Sequence, residues 1–307
     1  MSRTRILATA SVAFAIASFV ACSDPGSTSV ASTSASLDRA AFDQAGAHRQ
    51  YGTPQKVGNG TVRTYVVLDQ QNKGRPLEVG VALSEKALEG LPAPVSTANN
   101  PMANMHMYLL DLPARNPTQY KFVQFDWNPA GHEPDSVYTY PHFDFHFYTV
   151  PVEVRNSILP NDPQYATKAA NYPAPEYRAP FYLDAATAAN APAAAVTIPQ
   201  MGLHWLDVRS PELQKLTGNP AGYRQFTKTF IYGTWDGQFI FDEPMITRAY
   251  ILEKKTATDP AVVDEVVPVS TPAKYSPAGF HPSAYRITWD EQQKEYRIAL
   301  TQLSWKE

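Results

Sequence analysis

Two histidines and an aspartate alternate with three phenylalanines between His142 and Phe147, in the stretch PHFDFHFYTV. Imidazole nitrogens and carboxylate oxygens are the donor set for zinc, iron and copper ions. The same groups transfer protons near neutral pH. On a strand, successive side chains point to opposite faces. His142, Asp144, His146 and Tyr148 then share one face, and Phe143, Phe145, Phe147 and Thr149 share the other. The aromatic face suits a core. The polar face suits coordination or titration. Histidines four positions apart on an ideal strand are separated by about 13 Å, too far to hold one ion together. Either a bulge or strong twist brings them together, or the two rings have different roles.

Other segments carry matching groups. His204 stands in QMGLHWLD, His106 in NMHMYLL and Glu243 in FDEPM. His132 lies beside Glu133 in the loop before the His142 strand, whereas His48 and His281 stand apart from other ligand types. The expected metal ligands are His142, His146 and His204, then His106 and Glu243. Asp144 orients or supplements them. Asp144, Tyr148, Trp205 and Tyr232 are expected to line a ligand pocket. Zinc is the expected ion, ahead of copper or iron. Thioethers at Met102, Met105, Met107, Met201 and Met245 would favour copper(I). Methionine is also a common core filler, and Met105, Met107 and Leu109 alternate onto a core face away from His106. Two other readings stay open. One is a non-enzymatic module that binds a small ligand or self-associates. The other is a metal-free acid–base enzyme using the histidines with Glu243 or Asp144. No glycine-rich phosphate loop, G-x-S-x-G elbow or H-E-x-x-H helix is present.

The elements that must position these groups are strands. Residues 61–68 and 76–83 alternate as a hairpin, and Ser84 caps a single helical turn ending at Gly90. Residues 105–112 and 120–126 form a second hairpin, followed by the His142 strand. Residues 226–232 and 238–241 flank GTWDG, where Asp-Gly suits a type I′ turn. Residues 248–252 extend that strand pattern, and the chain closes on a hairpin around 290–294. Residues 151–200 read as short helices in a proline-punctuated excursion, the kind of segment that forms a lid or an oligomer contact. With 27 prolines and no long apolar periodicity, the chain reads as mainly β. The expected architecture is an antiparallel sandwich or barrel-like domain with a few short peripheral helices. A formal charge of −3 offers no basic field, so nucleic acid is not an expected partner.

The start of the chain reads as a targeting segment. Arg3 and Arg5 precede an uncharged apolar run from Ile6 to Val20, too short for a comfortable membrane span. It ends at Phe19-Val20-Ala21-Cys22, which resembles a lipobox with phenylalanine in place of the usual aliphatic residue. Cys22 is the only cysteine, which excludes a disulfide framework and a thiolate site. The expected organisation is a signal peptide over 1–22, a flexible tether and short helix over 23–50, and one β-rich domain over 51–307. The protein is expected in the bacterial cell envelope, as an outer-membrane lipoprotein facing the periplasm and touching the membrane through its lipid alone. A soluble periplasmic or secreted form is the alternative.

The segments GNGTVRTYV, DWNPAGHEP, YPHFDFHFY, MGLHW, FTKTFIYGTWDGQFIFDEPMITRAY and YRIALTQLSW resemble the TTHB210-like domain family of bacterial proteins. The resemblance spans roughly residues 51 to 305. It implies an exported or anchored protein, and it implies that His142, Asp144, His146, His204 and Glu243 belong to a shared site. It implies no particular substrate.

Overall fold

The computed structural model describes residues 46–95 and 104–307. The expected leader, the Cys22 anchor, most of the tether and Met102 lie outside the described residues. Along the described chain run β1 (His48–Tyr51), β2 (Gln55–Val57), β3 (Gly60–Asp69), β4 (Arg75–Ser84), β5 (His106–Asp111), β6 (Phe122–Asn128), β7 (His142–Tyr148) and β8 (Tyr182–Asp184). They continue as β9 (Leu203–Asp207), β10 (Lys228–Trp235), β11 (Gln238–Thr247), β12 (Asp264–Pro268), β13 (Gly279–His281), β14 (Ala284–Asp290), β15 (Glu295–Thr301) and β16 (Ser304–Lys306).

Two open antiparallel sheets form a sandwich. One has the order β1-β3-β4-β15-β14-β12, with β2 added on β3. The other runs β5-β6-β7-β11-β10-β9-β8, and β13 pairs with β16 in a separate ribbon. Neither sheet closes into a barrel. Alternation explains the packing between them. Val62, Val66, Val79, Val81, Leu83, Ile287 and Ile298 of the first sheet meet Val123, Phe125, Phe143, Phe145 and Phe147 of the second in one buried cluster. The rings of Phe125 and Phe143 stack with centroids 5.2 Å apart, and Trp127 lies 4.6 Å from Phe143. Each buried ring contributes roughly 1.5–3 kcal/mol relative to exposure. The phenylalanines of β7 therefore anchor the strand and fix which way its polar side chains point.

The expected strand over 248–252 is instead the start of a helix, Arg248–Thr256. The Thr247 hydroxyl accepts from the Tyr250 N–H, which caps the helix as β11 ends. Ile251 and Lys254, three positions apart on one face, are then buried. At the other end, where the short helix is expected within 23–50, the described residues from His48 onward are strand, because His48 and Arg49 pair with Leu68 and Val67 on β3.

Residues 151–200 fold over the outer face of the second sheet. Their short helices include Val152–Asn156, Tyr165–Ala169 and Ala185–Ala189. Ile158, Tyr165, Ala169 and Met201 pack there with Phe122, Tyr148 and Phe241. A second apolar cover of Val137, Tyr138, Leu213 and Phe226 meets Ile231 and Met245. Glu243 lies between Phe241 and Met245 on the same face of β11, so a polar strip runs between the two covers.

Candidate metal centre

The cross-strand register assembles this strip. Asp126 of β6 pairs with Asp144, Gln124 with His146, and Asn128 with His142. On the other side of β7, Phe241 pairs with Tyr148 and Met245 with Asp144, which sets Glu243 beside His146. His204 of β9 pairs with Gly233 of β10, and Gly233 pairs with Phe241. A Cβ on Gly233 would lie 2.0 Å from the Phe241 ring, so glycine is required there. The Phe241 ring fills that space and packs edge-on against His146 and His204, at 4.8 and 5.4 Å.

Two triads result, each of two histidines and one carboxylate. His132, His142 and Asp144 form the first, and His146, His204 and Glu243 form the second. In each, the candidate donor atoms lie within 4.8 Å of one another. His142 Nε2 is 3.2 Å from Asp144 Oδ1, and His132 Nε2 is 3.6 Å from Asp144 Oδ2. His146 Nε2 is 3.3 Å from Glu243 Oε1, and His204 Nε2 is 3.7 Å from Glu243 Oε2. A charge-assisted N–H···O bond is shorter, about 2.7–2.9 Å. Two ligands bound tetrahedrally at about 2.0–2.1 Å are about 3.3 Å apart. The spacing is that of ligands around an ion.

The remaining ring nitrogens fix the tautomers. His142 Nδ1 lies 2.6 Å from the Tyr140 carbonyl and His132 Nδ1 2.7 Å from the Glu133 carbonyl. Each Nδ1–H donates to a carbonyl, which leaves each Nε2 lone pair facing Asp144. His204 is tied to the backbone at Gly202. His146 Nδ1 faces Asp126 Oδ2 at 3.4 Å. Behind Asp126 stands a buried relay. Gln124 Nε2 donates to Asp126 Oδ2 at 2.7 Å, and Arg155 donates to Gln124 Oε1 from Nε at 3.0 Å and Nη2 at 2.7 Å. Asn128 Nδ2 donates to Asp144 Oδ2 at 2.6 Å.

Buried polar atoms normally find partners. Here Asp126 Oδ1, His142 Nε2, Asp144 Oδ1, both ring nitrogens of His146 and Glu243 Oε2 are buried with no aligned hydrogen-bond partner among the described residues. The charge states of the two triads differ. Burial alone would raise Asp144, but His142 and His132 more than offset it and hold the carboxyl well below the usual range. Asp144 in turn raises His132 against the effect of burial. In the second triad burial dominates. It lowers His146 to about 3 and His204 to about 4, and it pushes Glu243 well up, with Asp144 and Asp126 adding to the rise. Burial and Asp144 raise Asp126 as well. The first triad favours an ionised carboxylate, and the second gathers neutral imidazoles around a carboxyl that resists ionisation.

Part of the chain matches a family model. Residues 72–127 match the TTHB210-like family model, described as Hypothetical protein TTHB210. The resemblance read from the sequence is thus found over part of its span. The TTHB210-like stretch includes β4, β5 and most of β6, with Gln124 and Asp126, and it stops short of both triads. No curated protein and no solved structure matches the chain.

The structure brings together His142, His146, His204, Glu243 and Asp144, distributed over two triads. The 13 Å conflict on β7 is resolved by giving each histidine its own carboxylate. His106 does not join them. It pairs with Trp127, so it lies on the opposite face of the sheet. Tyr148 is on the polar face, and its hydroxyl donates to the Gln200 carbonyl at 3.0 Å. Trp205 and Tyr232 pair with each other on the aromatic face and belong to the sandwich core. Met107 pairs with Asp126 on the polar face, where the sequence expected a core position. Its sulfur meets Arg155 Nη2 at 2.7 Å. His132, noticed but not selected from the sequence, completes the first triad. Asp126 was missed, although FVQFDWN alternates aromatic and polar residues as β7 does.

Proposed function

We propose that the protein binds divalent transition-metal ions at two sites on one sheet face, through His132, His142 and Asp144 and through His146, His204 and Glu243. One observation carries this reading. Four buried polar atoms without partners among the described residues, His142 Nε2, Asp144 Oδ1, His146 Nε2 and Glu243 Oε2, belong to two triads whose donors lie at ligand-to-ligand spacing on a single face. Leaving such atoms unpaired costs about 1–3 kcal/mol each, and a cation would compensate most of them at once. Zinc suits nitrogen and oxygen donors in this number. Iron(II) shares the two-histidine, one-carboxylate set. Three protein ligands leave a coordination position for water or a ligand oxygen, unlike a closed structural site. Export with lipid attachment at Cys22 is proposed alongside, from the apolar start and its lipobox-like end.

Elemental analysis of protein purified without chelator tests the reading. The parent should carry about two ions per chain, and both His146→Ala and His204→Ala should lose one. A metal-free parent, or variants with the parent's content, would refute it. Labelling with a radioactive fatty acid tests the anchor. Label should enter the parent and be absent from Cys22→Ala.

A further inference from the structure

Asp242 stands between Phe241 and Glu243 on β11 but points to the other face of the sheet, opposite Tyr232 and Phe147. There it lines a cavity of about 290 Å³ between the second sheet and the 272–282 loop. That volume is at the small end for ligand pockets. Tyr177, Tyr232, Phe239 and Tyr275 supply aromatic walls. The rings of Tyr232 and Phe239 meet edge to face at 5.5 Å, and Tyr275 lies 4.3 Å from the His281 ring.

The cavity holds one buried carboxyl and no cation to match it. Asp242 is 7% exposed, and its Oδ2 accepts from the Tyr120 hydroxyl. Among the described residues none donates to Oδ1, and none makes an ion pair with Asp242. Lys274 also lines the cavity, but its ammonium is largely exposed and lies 3.8 Å from Glu176. His281 offers a ring and no charge. Its Nε2 bonds the Pro277 carbonyl at 2.8 Å, its Nδ1 faces the Gln119 amide at 3.3 Å, and burial lowers its pKa to about 4. A carboxylate without a cation is costly to bury, whereas aromatic faces attract cations.

We propose that this cavity is a binding site for a small organic ammonium, its nitrogen at Asp242 and its carbon body against Tyr232, Phe239 and Tyr275. The site is separate from the metal face, since Asp242 and Glu243 lie on opposite sides of the sheet.

Calorimetric titration at pH 7.5 tests this, with benzylamine as the cationic probe and benzyl alcohol as its neutral counterpart. Benzylamine should bind at least tenfold more tightly than benzyl alcohol. Asp242→Asn should abolish that preference, and Phe239→Leu should weaken benzylamine by about threefold. His204→Ala should leave benzylamine binding unchanged, which keeps this test apart from that of the metal sites. Equal binding of the two probes, binding of neither at millimolar concentration, or an unchanged preference in Asp242→Asn would overturn the proposal. Should Asp242→Asn fail to fold by circular dichroism, the probe comparison in the parent and Phe239→Leu decides.

Discussion

Replacing Glu243 by glutamine separates metal binding from folding. Glu243 is 2% exposed, and its two oxygens face His146 and His204 at 3.3 and 3.7 Å. Burial and the nearby carboxylates favour its protonated form. Glutamine has nearly the shape of that neutral form, so at pH 4, where the carboxyl is protonated both folded and unfolded, the metal-free stability should change by no more than about 0.5 kcal/mol, and at pH 6 the variant should be at least as stable as the parent. Metal binding should change far more, because the anionic ligand is gone. Losing a supporting group costs about 10–100-fold in metal affinity, so about 100-fold is a conservative figure for a direct ligand. With zinc at 100 times the parent's Kd, this site stabilises the parent by about 2.7 kcal/mol, and the variant retains about 0.4 kcal/mol. At about 2–4 °C per kcal/mol for a domain of this size, the zinc-induced rise in Tm should be smaller by about 5–9 °C. The assay is calorimetric melting of chelator-stripped protein at pH 6, with and without zinc. A pH series adds a sign. The folded-state pKa of Glu243 is raised, so its contribution to stability is full below about 4.5 and is lost as pH rises through the higher folded value. The metal-free parent should therefore weaken with rising pH above that point, and Glu243→Gln should weaken less. An equal zinc shift in parent and variant would refute the reasoning. So would a large loss of metal-free stability in the variant at pH 6, which would mean that the carboxylate already has a partner.

Asp144→Asn should reduce the metal content from about two ions to one, while His106→Ala on the opposite face leaves both, as read by elemental analysis. Gln124→Leu strips the acceptor from the buried Arg155 guanidinium and the donor from Asp126. It should cost about 1–3 kcal/mol in denaturant melts and weaken the second site about tenfold in zinc titrations. Gly233→Ala forces the Phe241 ring off His146 and His204. It should cost about 1–3 kcal/mol and lower zinc affinity as well, and unchanged affinity would mean the ring does not position the ligands.

The strand period carried most of what was readable in advance. Strict alternation in HFDFHFY determined that His142, Asp144 and His146 share a face and that the phenylalanines anchor the core, because a strand leaves its side chains no other choice. The same local rule indicated the GTWDG hairpin and a mainly β fold. It failed over residues 248–252, where the Thr247 cap and burial of Ile251 and Lys254 turned a strand-like stretch into a helix. It also could not say on which side of the sheet a residue from another strand would fall. A shift of one residue in register exchanges the faces. The pairing of His106 with Trp127 removed that histidine from the site, and Met107 took the polar side instead. Likewise, only the order β6-β7-β11-β10-β9 brought Asp126, Glu243 and His204 up to β7. Tertiary structure decided that two histidines too distant to share an ion would each acquire a carboxylate of their own. The physical reason is that alternation is local, while partners across a sheet are set by how whole strands bury their apolar faces.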